Sequence, residues 1–276
     1  MFKNTFFIAL FILFTVNLQA QIFTDETPFY AETKQVNQFF RRFNGEEDEK
    51  GNRYWEKDAQ YRNRDLRRKY ISILFNNQNF SIPSDQKTKF LEEMTDVKKP
   101  VFLSFLGGDW FAEVETEFAY KGKKTIINLY MQLEVTGNQG SKWVINRVHW
   151  YDQEKQFYPD STGKHLFLHP LSHELDFMNL KKVLLDQPEY VEYFTEKNAR
   201  VDFLSIFLYE IKLGNLKFET VTNLKFHVFQ LNNWYFELSN FNRKGLNTGW
   251  LISNLSPLKA GEKEKMSKFI QHDKRQ

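Results

Sequence analysis

The residues best placed to do chemistry are Glu113, Glu115 and Glu117, which alternate with other side chains in the run WFAEVETEF. In extended backbone, side chains two apart share a face and stand about 7 Å from one another. Two carboxylates at that spacing can act as acid and base in glycoside hydrolysis, provided that a pocket raises the pKa of one of them. The plainer job of such a row is to keep the outer face of a sheet wet, and the alternation favours that reading. His165, His169 and His173 recur every four residues. On one continuous helix they would share a face and could hold Zn²⁺, but Pro170 interrupts the ladder. His173-Glu174 lacks the second His of a His-Glu-x-x-His motif. Ser172 neighbours His173 without a Gly-x-Ser-x-Gly elbow, so a helix cap accounts for it. There is no Walker A motif, dinucleotide fingerprint, EF-hand loop or nucleic-acid motif. No cofactor and no metal are expected.

The elements that must carry these residues are helices first, strands second. Residues 32–43 place Val36, Phe39, Phe40 and Phe43 on one side of a helix, stopped by Asn44-Gly45. A second helix is expected over 58–75 with Leu66, Tyr70, Ile73 and Leu74 inward, and a third over 85–94, capped by Ser84. The period then becomes two. Trp110, Ala112, Val114, Thr116 and Phe118 form one face of a strand, followed by strands over 124–135 and 142–150. The second half repeats this order: a helix over 173–185 capped by Ser172, a short one opened by Pro188, one over 201–213, then strands through Phe226, through Trp234-Tyr235 and through Trp250. Inward positions on the strands are apolar, with no Asp or Glu among them. Asp58, Tyr61 and Asp109 can reach only a mouth. The acidic loop Glu46–Glu49 and the arginines at 62, 64, 67 and 68 read as a wet loop and a wet helix face in contact, with an anion site on the arginines as the sharper alternative.

The first twenty residues have one Lys, an apolar run from Phe6 to Val16 and a polar exit ending in Ala20. That layout is a secretory signal peptide, too short for the ~20 residues of a membrane-spanning helix. A periplasmic or secreted location follows, away from nucleotide cofactors, with no membrane span in the mature chain. The absence of Cys removes disulfides, thiolate metal sites and Cys nucleophiles. It fits a bacterial envelope protein held together by packing, and the 29 Phe of the 276 residues supply the bulk for that. A formal charge of +3 gives no field for nucleic acid.

GSKWVINRV (Gly140–Val148) and NTGWLISNL (Asn247–Leu255) end the two halves alike. Helices followed by long antiparallel strands, closing on a W-x-I-x-x-V type of strand at Trp143–Val148 and echoed at Trp250–Leu255, resemble the NTF2-like (SnoaL-like, cystatin-like α+β) superfamily. The resemblance implies an α+β fold of two cone-shaped repeats, each with helices packed on a curved antiparallel sheet. Residues 21–158 would be the first repeat and 159–257 the second, with 151–171 as the connection and 258–276 as a polar Lys-rich tail. In ketosteroid-isomerase-like relatives a deep carboxylate removes a proton, and no inward acid stands ready for that here. The reading is therefore a non-catalytic binding or interaction module, taking an envelope protein or a small apolar ligand. Trp110, Tyr130, Trp143, Trp234 and Trp250 are its candidate ligand-binding residues. An NTF2-like hydrolase or isomerase is the alternative. A glycan-binding module, using outward rings at Tyr54-Trp55, Trp150-Tyr151 and Trp234-Tyr235, is a further one.

Overall fold

The spacing of apolar residues in α1 (Thr27–Asn44) puts Val36, Phe39, Phe40 and Phe43 on one buried stripe. Gly45 ends the helix at φ +73°, where a Cβ would stand 3.3 Å from both Arg62 Cα and Arg67 Cβ, so the position needs glycine for conformation and for space. The computed structural model describes residues 27–78, 81–136, 140–157, 199–243 and 247–272, with 184, 188, 191 and 194–196, and the side chains of α1 from Val36 onward. The segment 1–20, the histidine ladder with Ser172 and the helix expected over 173–185 lie outside the described residues, as does most of the helix opened by Pro188.

α2 (Arg64–Ile73) begins at Asn63, whose side chain accepts from the N–H groups of Asp65 and Leu66. It buries Arg67, Tyr70 and Ile71 rather than Leu66 and Ile73. The helix is thus rolled relative to the apolar pattern, and Arg67 faces inward. α3 (Ser84–Met94) has Ser84 as its first residue and makes no side-chain cap; Pro83 precedes it.

The strands β1 (Trp110–Tyr120), β2 (Lys123–Val135) and β3 (Ser141–His149) form one meander. Then come α4 (Tyr151–Phe157), in the stretch expected to be connection, and α5 (Phe203–Lys212). β4 (Leu216–Leu231), β5 (Trp234–Phe241) and β6 (Gly249–Pro257) form the second meander, and α6 (Glu262–Ile270) closes the described chain. Among the described residues the fold is α+β, with six helices and one antiparallel sheet of order β3-β2-β1-β4-β5-β6. The meanders join through β1 and β4, paired from Trp110 opposite Val228 to Tyr120 opposite Leu216. Register shifts occur at Glu115/Thr116 and Glu117/Phe118 of β1 and at Tyr130/Met131 of β2, sites where an extra residue bends a strand.

α1 and α3 lie on one face of this sheet. Phe43 stacks on Phe236 with centroids 6.3 Å apart, and Phe40 meets Trp110 at 4.8 Å. The main core takes Val114, Ile127 and Val148 from the first meander and Phe226, Phe236 and Ile252 from the second. The opposite face carries a smaller core of Phe111, Tyr130, Phe229, Tyr235 and Leu258 beneath α6. No helix among the described residues is long and apolar enough to cross a membrane.

Candidate functional site: two clefts flanking Trp234

β4 and β5 are joined by the two residues Asn232-Asn233, with Leu231 opposite Trp234. The pleat turns Trp234 inward, edge-on to Phe90 of α3 at 5.4 Å. Its indole N–H donates to Glu93 Oε2 at 2.7 Å, one turn along the same helix. Burial of an indole requires such a partner. Glu93, Asn233 and Trp234 form a ridge between two open clefts. The larger, of about 470 Å³, runs between the hairpin turn and the α3–β1 connection; Met94, Val101, Leu231 and Trp234 give it an apolar floor, and Lys98 and Lys99 stand at its mouth. The smaller, of about 290 Å³, lies between Lys89 of α3 and the Pro257–Lys259 stretch. The N–H groups of Lys99 and Lys98 point at Asp96 and hold its carboxyl below the usual range, which fixes the turn at the mouth. Gln230 is committed to Ser104 and Gly108. The arrangement offers an apolar floor, amides and a mixed-charge rim, which is the chemistry of binding.

The other candidate aromatics fall in two places. Trp110, Trp143 and Trp250 surround Phe226 on the inner face, at 5.6, 6.0 and 4.8 Å. Trp110 and Trp250 are buried and Trp143 is half-buried, so these rings pack against one another on the inner face. Tyr130 is on the opposite face, where its hydroxyl donates to Ile270 O at 2.8 Å. Tyr235, expected outward, is buried as well because α6 covers that side. Trp55 is 61 % exposed, in a loop rather than a strand, with the Arg53 guanidinium 4.5 Å above its ring.

The carboxylate row resolves into separate pairs. Glu115 accepts from Thr222 Oγ1 at 2.7 Å, and Lys124 at 2.7 Å from Glu117 holds that carboxyl below its ordinary range. Glu113 accepts from Asn128 at 3.1 Å and meets His227 Nε2 at 2.8 Å, while His227 Nδ1 lies 2.8 Å from the Tyr235 hydroxyl. Burial alone would raise the Glu113 pKa, but the hydrogen bond and charge of His227, with Lys225, bring it below the ordinary value. Glu113 accepts a hydrogen bond from Nε2–H; with the ring neutral Nδ1 then accepts from the Tyr235 hydroxyl, and with the ring charged Nδ1–H donates to it. Burial, then the charges of Glu237 and Glu113, push the Tyr235 phenol far upward and keep it a donor. The chain has the outline of a nucleophile relay, but its last member is a buried phenol with a raised pKa, and Glu113 and Glu117 are both held below the range a general acid needs. The meeting of His227 with Glu113 depends on β1–β4 pairing, which local pattern does not reveal.

The basic cluster is similarly occupied. Arg62 pairs with Glu46 at 2.6 Å, Arg64 donates to Thr95 O at 2.9 Å, and Arg67 is buried. Asp58 accepts from Trp55 N–H at 2.7 Å and Asp109 pairs with Lys263 at 2.7 Å. Among the described residues no group of three His, Asp or Glu is arranged to hold a metal. Compared with known proteins, the chain matches no family model, no curated protein and no solved structure.

Proposed function

We propose that this protein is an exported, non-catalytic binding module of the bacterial envelope, and that the clefts flanking Trp234 take a ligand or partner segment with a flat apolar body and a polar edge. The observation that carries the reading is the apolar floor of Met94, Leu231 and Trp234 beneath a rim of lysines and amides. The satisfied carboxylates elsewhere agree with it. Export rests on the pattern of residues 1–20. The NTF2-like, two-repeat reading is supported by the mirrored strand order about β1 and β4, and by Trp143 and Trp250, which open the last strand of each meander and both contact Phe226.

The test is titration of the purified mature chain with anilinonaphthalene sulfonate, a dye with an apolar body and an anionic edge. Saturable binding that weakens at least about tenfold in Asn233→Trp, which fills both clefts, is the expected result. Unchanged affinity in that variant removes the site. Turnover of an ester or glycoside panel that disappears in Glu93→Gln overturns the non-catalytic reading.

A further inference from the structure

α6 lies on the outer face of the sheet with no buried residue of its own. Only Met266 and Ile270, four apart, pack on the rings of Phe111, Tyr130, Phe229 and Tyr235, while Phe269 is 82 % exposed. The helix is tied at its ends. Lys263 meets the exposed Asp109 at 2.7 Å near its start, and at its finish the Tyr130 hydroxyl donates to Ile270 O at 2.8 Å. Beyond it, His272 stacks on His149 at 3.8 Å. The floor is thus far more deeply built than the helix that sits on it. Its two polar contacts read features that any short helix of this pattern would bring, a cation in the first turn and a terminal carbonyl. Gly261 at φ +82° precedes the helix, three residues after Leu258, whose N–H is held by Asn233 O at 2.7 Å.

We propose that the outer face beneath α6 is a docking groove for a short amphipathic helix, and that the chain's own C-terminal helix occupies it at rest and yields to a partner helix of the same pattern. The partner carries two apolar residues four apart and a Lys or Arg one turn earlier, facing Asp109. The charge complementarity of Asp109 with Lys263 sets its direction on the groove. The floor of this groove is on the opposite face from the larger Trp234 cleft, although Leu258, Lys259 and Glu262 at the start of the helix also line the smaller one.

The probe is a fluorescein-labelled peptide of residues 258–272, followed by anisotropy. Full-length Met266→Ser/Ile270→Ser, with its own helix loosened, is expected to bind it saturably and at least about tenfold more tightly than the wild-type chain. Asp109→Lys in that background should weaken binding several-fold, and a peptide carrying Lys263→Asp should restore it. A natively folded double variant that ignores the peptide overturns the proposal; so does equal binding by the wild type, or failure of the charge reversal to rescue. Should the double variant not fold, hydrogen exchange of amides 266–270 in the wild-type chain serves instead. Excess unlabelled peptide should accelerate that exchange, and no change overturns the groove.

Discussion

At the scale of single residues, Arg67 departs furthest from what its type predicts. Its guanidinium is buried, and among the described residues its hydrogen bonds go to backbone carbonyls. It donates to Phe43 O at 2.8 Å, to Met94 O at 2.8 Å and to Val101 O, and lies 4.3 Å over the ring of Phe102. Phe43 and Met94 end α1 and α3, where unpaired carbonyls give the helix its negative pole. One cation therefore answers the ends of two helices and the following loop. Desolvation, with Arg62 nearby, draws the Arg67 pKa down to about 10, so it stays charged at neutral pH. Arg67→Met leaves Phe43 O and Val101 O without a donor and Met94 O with only the Val101 N–H at 3.3 Å. Since each such loss costs roughly 1–3 kcal/mol, the variant should lose about 3 kcal/mol or more in urea unfolding. Arg67→Lys, which cannot fork to three acceptors, should recover only part. A Met variant within about 0.5 kcal/mol of wild type would refute the staple, since that is the range of surface substitutions. The residue was legible only as part of a basic cluster; its burial was not, because the acceptors come from segments 24, 27 and 34 residues away.

At the scale of elements, the edges of the sheet decide whether it stays alone. β6 is an edge strand, and the segment after α2 covers part of it. Ile252 N–H donates to Leu74 O at 2.8 Å, and Asn76 N–H to Ile252 O at 3.0 Å, in a parallel bridge. Asn247 clasps this cover: its amide donates to Ile73 O at 2.9 Å and Phe75 O at 2.6 Å, and its oxygen accepts from Asn77 N–H at 3.1 Å. Asn247→Ala removes these three contacts and the one its oxygen accepts from Arg243. It should cost about 2 kcal/mol, from net contributions of about 0.5–1.5 kcal/mol each, and expose an edge that invites pairing between molecules. Urea unfolding and light scattering against concentration measure the two effects, and no change in either would contradict the clasp. The strands themselves were readable because antiparallel strands with one buried face alternate cleanly. α4 was not, since it buries Gln153 and Glu154 and so carries no apolar stripe. Tyr235 was read as outward because no local pattern announces that a helix from the far end of the chain will cover it.

At the scale of the molecule, the question is whether the two meanders are two folding units or one. The sequence divides naturally near residue 158, and the strand order is mirrored about the β1–β4 pair. Yet that pair runs the full eleven residues of β1, broken only by two register shifts, and the core beneath the helices takes residues from both halves. A fragment ending at 158 would keep α1–α4 and β1–β3 but leave β1 with an open edge. It would also strip Phe39 and Phe43 of Phe236, which they meet at 6.0 and 6.3 Å. An unpaired central strand is a template for aggregation, and aromatics without their partners lose much of their burial. The intact chain should therefore unfold in one cooperative transition, with coincident midpoints by tryptophan fluorescence and far-UV circular dichroism. Fragments 21–158 and 159–276 should each lack a cooperative transition alone and regain one when refolded together. Two separate transitions in the intact chain, or a fragment with its own sharp midpoint, would mean that each half completes a core independently. The β1–β4 ladder would then be a docking interface between domains, not the spine of a single one.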